Sequence, residues 1–149
     1  MCENHPRKLE DIKQGNYYER KVLKWLNVNQ CPTDKLFLYR NKFNTFDFSS
    51  SKVIGELKSR NIKHDDYNDL MIGLNKLEEA EIEYEKRVHK KYTFYFLCKD
   101  GLYSWDFKKD EYDIRMGGRC DRGRDERKLC GFIDTRNLVK LTTKINSIS

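Results

Sequence analysis

Pro6 and Pro32 are the only prolines in this chain of 149 residues, and glycine is held to eight. That excludes collagen-like sequence and Pro/Gly-rich disordered linkers. It also leaves no compositional break at which to divide the chain. No apolar run approaches the roughly 18 residues needed to cross a bilayer. Met1 to Lys13 is polar and lacks the apolar core of a secretory leader. The three histidines (His5, His64, His89) are scattered, and the five cysteines (Cys2, Cys31, Cys98, Cys120, Cys130) are odd in number with no CxxC. Standard zinc spacings and a disulfide framework are therefore excluded. The expectation is a single domain with reduced thiols, intracellular in the cytoplasm or a nucleus, and not secreted.

What is present is charge and aromatic surface. Charged residues make up 36% and aromatics 13%, so this is not the aromatic-poor composition of a disordered chain. Thirty Lys+Arg against 24 Asp+Glu give a formal charge of +6, which favours polyanionic partners.

The hydrophobic period changes along the chain. Residues 11–27 read as a helix, with Ile12, Val22, Leu23 and Leu26 at helical spacing. From 35 to 58 the alternation predicts a three-strand meander: 35–40, 43–48 and 53–58, with Ser49-Ser50-Ser51 as a tight connection. Residues 66–88 return to helical spacing through Tyr67, Leu70, Met71, Leu74, Leu77 and Ile82. Tyr92–Cys98 is continuously apolar, as in a strand buried on both faces. Asp100-Gly101 signals a hairpin into a strand at 102–107. Further strands are expected at 112–116 and 129–133, and a short helix capped by Asp134 or Thr135. The fold class is mixed α/β (α+β): a central mixed sheet with an αβββαβ core flanked by helices, plus C-terminal β additions and a short helix. Within one domain over 1–149, residues 1–10 are expected to be loose, 11–98 to form the core, and 99–149 to add a hairpin and basic loop.

The informative stretch is Phe46-Asp47-Phe48 followed by Gly55-Glu56-Leu57-Lys58. On a strand, Glu56 and Lys58 share one face while Gly55 and Leu57 take the other. Asp47 is expected opposite to both Phe46 and Phe48. If the two strands pair through the serine connection, Asp47 lies beside Glu56. Paired carboxylates repel, and a divalent cation removes the conflict, because Mg²⁺ takes hard oxygen ligands. A cation there can polarise a phosphodiester and acidify a water. Lys58 can orient that water or stabilise developing negative charge. The tripeptide is common: Asp11–Lys13, Glu19–Lys21, Glu56–Lys58, Asp106–Lys108 and Glu126–Lys128 all fit [Asp/Glu]-x-Lys. Among them only Glu56–Lys58 lies on an apolar strand beside an alternating Asp and ahead of a long helix.

Glu19 gives a second clue. Ile12, Gly15, Glu19, Val22 and Leu26 form one helical stripe, which aims Glu19 at the face to be buried. A carboxylate there either reaches solvent at the core edge or serves a site. On the 66–88 helix, Lys76 is a candidate for the site or its nucleic acid. The stretch 115–128 holds five Arg and one Lys against three acids. Arg115, Arg119, Arg122 and Arg124 are candidate phosphate contacts, since guanidinium forks suit phosphate oxygens. The same stretch also reads as an exposed hairpin tip with internally paired charges. Tyr17, Tyr18, Trp25, Tyr103 and Trp105 are either base-stacking surfaces or core.

Helix with Glu, strand, strand with Asp, strand with ExK, helix, strand is the layout of the PD-(D/E)xK, restriction-endonuclease-like nuclease superfamily, which residues 11–98 resemble. Glu19 matches the first-helix acid, Asp47 the motif Asp, Glu56 the second acid and Lys58 the lysine. Phe46 stands in place of the motif's variable proline. The resemblance implies Mg²⁺ or Mn²⁺ held by Asp47, Glu56 and the Leu57 backbone carbonyl, with Lys58 at the attacking water. The chain is also similar to small proteins of large DNA viruses, which would place it in a host cell or virion.

The function expected is a metal-dependent nuclease with catalytic residues Glu19, Asp47, Glu56 and Lys58, acting on DNA more than RNA and able to dimerise. The alternative is a non-catalytic nucleic-acid-binding or protein-interaction domain, such as a virion component, on the same fold.

Overall fold

The computed structural model describes residues 6–30, 33–38, 46–86, 90–118 and 128–143, with backbone alone for 6–16. The first helix, α1, runs Pro6–Asn29 and so starts before residue 11. Strands β1 (Phe37–Leu38), β2 (Phe48–Ser49) and β3 (Val53–Ser59) pair antiparallel in sequence order, as a meander does. Of the strands expected at 35–40 and 43–48, however, residues 39–45 lie outside the described ones, and Ser49 belongs to β2 and not to the connection. Strand β5 (Lys91–Cys98) lies parallel to β3, with Glu56 opposite Phe94 and Lys58 opposite Phe96. A hairpin leads to β6 (Gly101–Asp106), and β9 (Val139–Thr142) closes a six-stranded mixed sheet of order β1-β2-β3-β5-β6-β9. Gly101 makes the hairpin turn at φ +153°, where a Cβ would also meet the Thr142 carbonyl oxygen at 2.5 Å.

Three expectations need correction. Residues 69–73 are not helix: Asp69–Gly73 is a strand, β4, and the second helix, α2, spans only Leu74–Lys86. Leu70 and Ile72 alternate into the core while Tyr67 is exposed. The helical reading matched because a short apolar run satisfies both periods. Second, β4 joins β8 (Lys128–Asp134) and β7 (Asp113–Gly117) in a separate three-stranded sheet, so the sheet is not single. Third, the C-terminal helix is one 3-10 turn, Thr135–Asn137, capped by Asp134. The β-branched alternation that follows makes a strand instead.

The main sheet has a core on each face. On one side Val22, Leu26 and Leu36 pack on Phe48, Leu57, Tyr95 and Leu97. On the other, Leu77 and Ala80 of α2 with Leu70, Ile72 and Ile133 of the small sheet cover Ile54, Phe94, Phe96 and Trp105. Strand β5 is buried from Tyr92 to Cys98, as its unbroken apolar sequence implies. Tyr103 and Trp105 belong to this core and offer no surface for bases.

Candidate active site

Strand β3 passes between the two cores, and its alternation sorts its side chains. Leu57 joins the α1 side, whereas Ile54 and therefore Glu56 and Lys58 face the α2 side. Glu56 is 5% exposed, a charged group among apolar neighbours. Its Oε1 lies 3.4 Å from Lys58 Nζ and 3.1 Å from Lys76 Nζ. Its Oε2 is buried and has no hydrogen-bond partner among the described residues. Burial raises the Glu56 pKa, against the pull of the two lysines. Burial likewise lowers that of Lys58, which Glu56 opposes.

Asp47 arrives from the bend that leads into β2. Its N–H donates to the Gly55 carbonyl (3.0 Å) and its Oδ2 accepts the Leu57 N–H (2.8 Å). Successive backbone groups of a strand point to opposite edges, so the Leu57 carbonyl points to the same edge as its N–H, toward Asp47. This close approach depends on Gly55, where a Cβ would stand 2.7 Å from the Phe48 ring and 3.0 Å from Tyr95. The expected facing of Phe46 and Phe48 is corrected: Phe46 enters the α2-side core and Phe48 the α1-side core. Residues 46–47 form a bend ahead of β2, and strict alternation fails there.

Glu19 completes the group from α1. Val22 and Leu26 of its stripe are fully buried, and Ile12 and Gly15 lie outside the described side chains. The Glu19 carboxyl hydrogen-bonds to Asp47, and its pKa is pushed up to about 8 by burial, by that bond and by the negative charges of Asp47 and Glu56. That shift favours the protonated form of Glu19 at neutral pH. Elements far apart in sequence thus deliver three carboxyl groups and two ammonium groups to one place.

Arg60 follows on β3's edge, its Nη2 donating to the Met71 carbonyl (2.8 Å). Burial depresses its pKa. Of the candidate phosphate contacts, Arg115 sits on β7, paired with Asp69 and 4.0 Å over the Phe132 ring. Arg119, Arg122 and Arg124 lie outside the described residues.

Sequence reasoning missed one group. His64, Asp65 and Asp100 have ligand-type atoms within 4.8 Å of one another, a second arrangement able to hold a cation. His64 Nδ1 lies 2.5 Å from Asp100 Oδ2, its N–H donates to Asp100 Oδ1 (2.9 Å), and its ring stacks on Tyr103 at 4.3 Å. Those bonds clasp the β3–β4 connection to the β5–β6 turn. Asp100-Gly101 announced the turn but not its partner 36 residues away.

No curated protein matches the chain. The model of the family described as "Phage putative PDDEXK endonuclease" matches residues 11–144, from α1 through β9. That span takes in the helix acid, the Asp bend, the ExK strand and the small sheet together, and the chain belongs to this phage family of PD-(D/E)xK endonucleases.

Proposed function

We propose that the protein is a divalent-metal-dependent nuclease that hydrolyses phosphodiester bonds of nucleic acid, DNA in preference to RNA. The observation that carries this reading is the convergence of Glu19, Asp47 and Glu56, with Glu56 Oε2 buried and unpartnered among the described residues. A desolvated carboxylate oxygen without a donor is costly. Hard-oxygen donors in this grouping fit Mg²⁺, with Mn²⁺ as a substitute. PD-(D/E)xK nucleases generally use divalent metals. Asp47, Glu56 and the Leu57 carbonyl would hold the ion. When bound, it supplies Lewis-acid polarisation of the phosphodiester and a more acidic water.

The chain's own groups do the rest. Lys76 occupies Glu56 Oε1, which leaves Oε2 for a ligand. Lys58, on the same strand face, orients the attacking water and stabilises charge on the phosphate oxygens. Glu19 hydrogen-bonds to Asp47, which holds that carboxylate in place. The water oxygen bonds to phosphorus and releases its proton to solvent, while the ester P–O bond breaks and the departing oxygen takes up a proton from solvent. Arg115, Arg119, Arg122 and Arg124 would contact flanking phosphates.

A non-catalytic nucleic-acid-binding domain is the second reading. It is favoured by Lys58 and Lys76 both lying on Glu56 Oε1, which balances that charge without a cation. One assay separates the two. Labelled single-stranded, duplex and branched DNA, and RNA, are incubated with wild type and Lys58→Ala in Mg²⁺, Mn²⁺ or EDTA. Metal-dependent cutting lost in the variant supports the nuclease. Salt-sensitive binding without cutting supports the binder.

A further inference from the structure

We propose that the groove between α1 and the segment entering β1 is a second nucleic-acid site, one that binds the phosphodiester backbone of a single strand. The groove encloses about 380 Å³ and is lined by Arg20, Leu23, Lys24, Asn27, Val28 and Lys35. Three of these carry positive charge and none is acidic. Arg20 and Lys24 are one helical turn apart, so their charges stack along the helix. Lys35 faces them from the other wall.

The opposite wall is held in place. The Asn27 amide pairs with both backbone groups of Leu36: its Nδ2 donates to the carbonyl at 3.0 Å, and its Oδ1 accepts the N–H at 2.7 Å. Leu36 is buried, which fixes Lys35 beside α1. The neighbouring acid, Asp34, is turned away. Its carboxylate accepts Ser51 Oγ (2.6 Å), Ser51 N (3.1 Å) and Lys52 N (3.1 Å). The cationic groups therefore converge without a counter-charge in the lining.

A small anion would not need the rest of the surface. Leu23 and the exposed Val28 give the groove an apolar floor, and two aromatics stand exposed at its margins in sequence. Tyr17 lies one turn before Arg20 on α1, and Phe37 lies two residues beyond Lys35. Cations spaced along a groove, with exposed aromatics close by in sequence (Tyr17 carrying Lys21 Nζ at 4.5 Å from its ring), match a polymer that alternates phosphates and bases. Arg20 follows Glu19 on α1 but is exposed, whereas Glu19 faces Asp47. The groove's use for delivering substrate rests on the nuclease reading; the binding itself does not.

The test is fluorescence anisotropy with a labelled single-stranded oligodeoxynucleotide across a salt series, in EDTA so that nothing is cut. The variants are Arg20→Ala/Lys24→Ala/Lys35→Ala and the single reversal Lys24→Glu. All three side chains are exposed, so the thermal midpoint should hold. At about 0.7 counterions per neutralised phosphate, the triple variant should lose roughly a hundredfold in affinity at 0.1 M salt, its salt slope shallower by about two. Tyr17→Ala with Phe37→Ala should weaken binding with the slope unchanged. Wild-type affinity and slope in the triple variant would overturn the groove and leave the nuclease reading standing. A wild-type protein that binds no oligonucleotide in EDTA would overturn the groove alone, because the nuclease reading requires the divalent ion that EDTA removes. Retained oligonucleotide binding with lost binding of an acidic peptide would reassign the groove to a protein partner and overturn the proposal.

Discussion

The Asp47 carboxylate accepts the backbone N–H of Leu57 at 2.8 Å, the residue between Glu56 and Lys58. One hydrogen bond thus fixes the motif aspartate to the strand that carries the other acid and the lysine. The contact replaces a ladder bond, because β2 is only two residues long and pairs no further than Gly55. Placement of Asp47 therefore depends on backbone approach and not on side-chain packing alone.

Gly55 makes that approach available, and we predict that Gly55→Ala is damaging. The added methyl would meet Phe48 at 2.7 Å and Tyr95 at 3.0 Å, both ring carbons in a packed core. Overpacking of this kind costs about 1–3 kcal/mol. Cleavage should fall further than the loss of folded protein explains, since Asp47 moves with β2. Urea denaturation and specific activity measured on the same preparation check both parts; wild-type stability would show that the rings yield freely.

Replacement of the charged groups should grade by position. Glu56→Ala and Lys58→Ala should each lower cleavage about a hundredfold or more, as removal of a group that stabilises transition-state charge does. Lys76→Ala should cost less, about tenfold, because it acts through Glu56 Oε1 and Lys58 still faces that oxygen. Far-ultraviolet circular dichroism controls for the fold. Equal losses at Lys58 and Lys76 would put both on the reacting atoms.

Metal binding should be visible without any substrate. Mg²⁺ present at a hundred times its dissociation constant should stabilise the fold by about 2.7 kcal/mol, seen as a higher thermal midpoint than in EDTA. Asp47→Asn and Glu56→Gln should abolish that rise. A midpoint that Mg²⁺ raises equally in both variants would direct attention to His64, Asp65 and Asp100 instead.

Acid sensitivity should report Asp34. Hydrogen bonds from Ser50 and Ser51 hold its pKa down at about 2, below the ordinary 3.8. The folded state thus favours the ionised form, so this contribution is complete above pH 4 and is lost as the pH falls through 2. Asp34→Asn should flatten the stability curve between pH 4 and pH 2 relative to wild type. Parallel curves in urea melts over that range would remove Asp34 from the account.

Much of this architecture was legible in the sequence because it rests on local rules. The parity of Glu56 and Lys58 follows from a period of two, and the unbroken YTFYFLC run announced the central strand. Glu19 stood out because a carboxylate interrupted an apolar stripe. Residues 69–73 misled because Leu70, Met71 and Leu74 satisfy helical spacing, and only Gly73 hinted at the break. The pairing of β4 with β8 joins residues 57 to 65 apart and leaves no local trace. The same holds for His64 with Asp100. Phe46 and Phe48 entered opposite cores because a bend at Asp47 broke the alternation assumed for them.

Strand β4 ends at Gly73 and α2 begins at Leu74, with no loop between them. Lys76 is the third residue of that helix, so its reach to Glu56 is inherited from the register of β4 against β8. A loop would absorb an insertion or deletion, but this junction has no slack and would pass the shift directly to the lysine. The positions of β4, α2 and β8 are therefore mechanically tied. A descendant that trimmed the small sheet to economise on length would also dismantle one wall of the charged cluster on the other sheet.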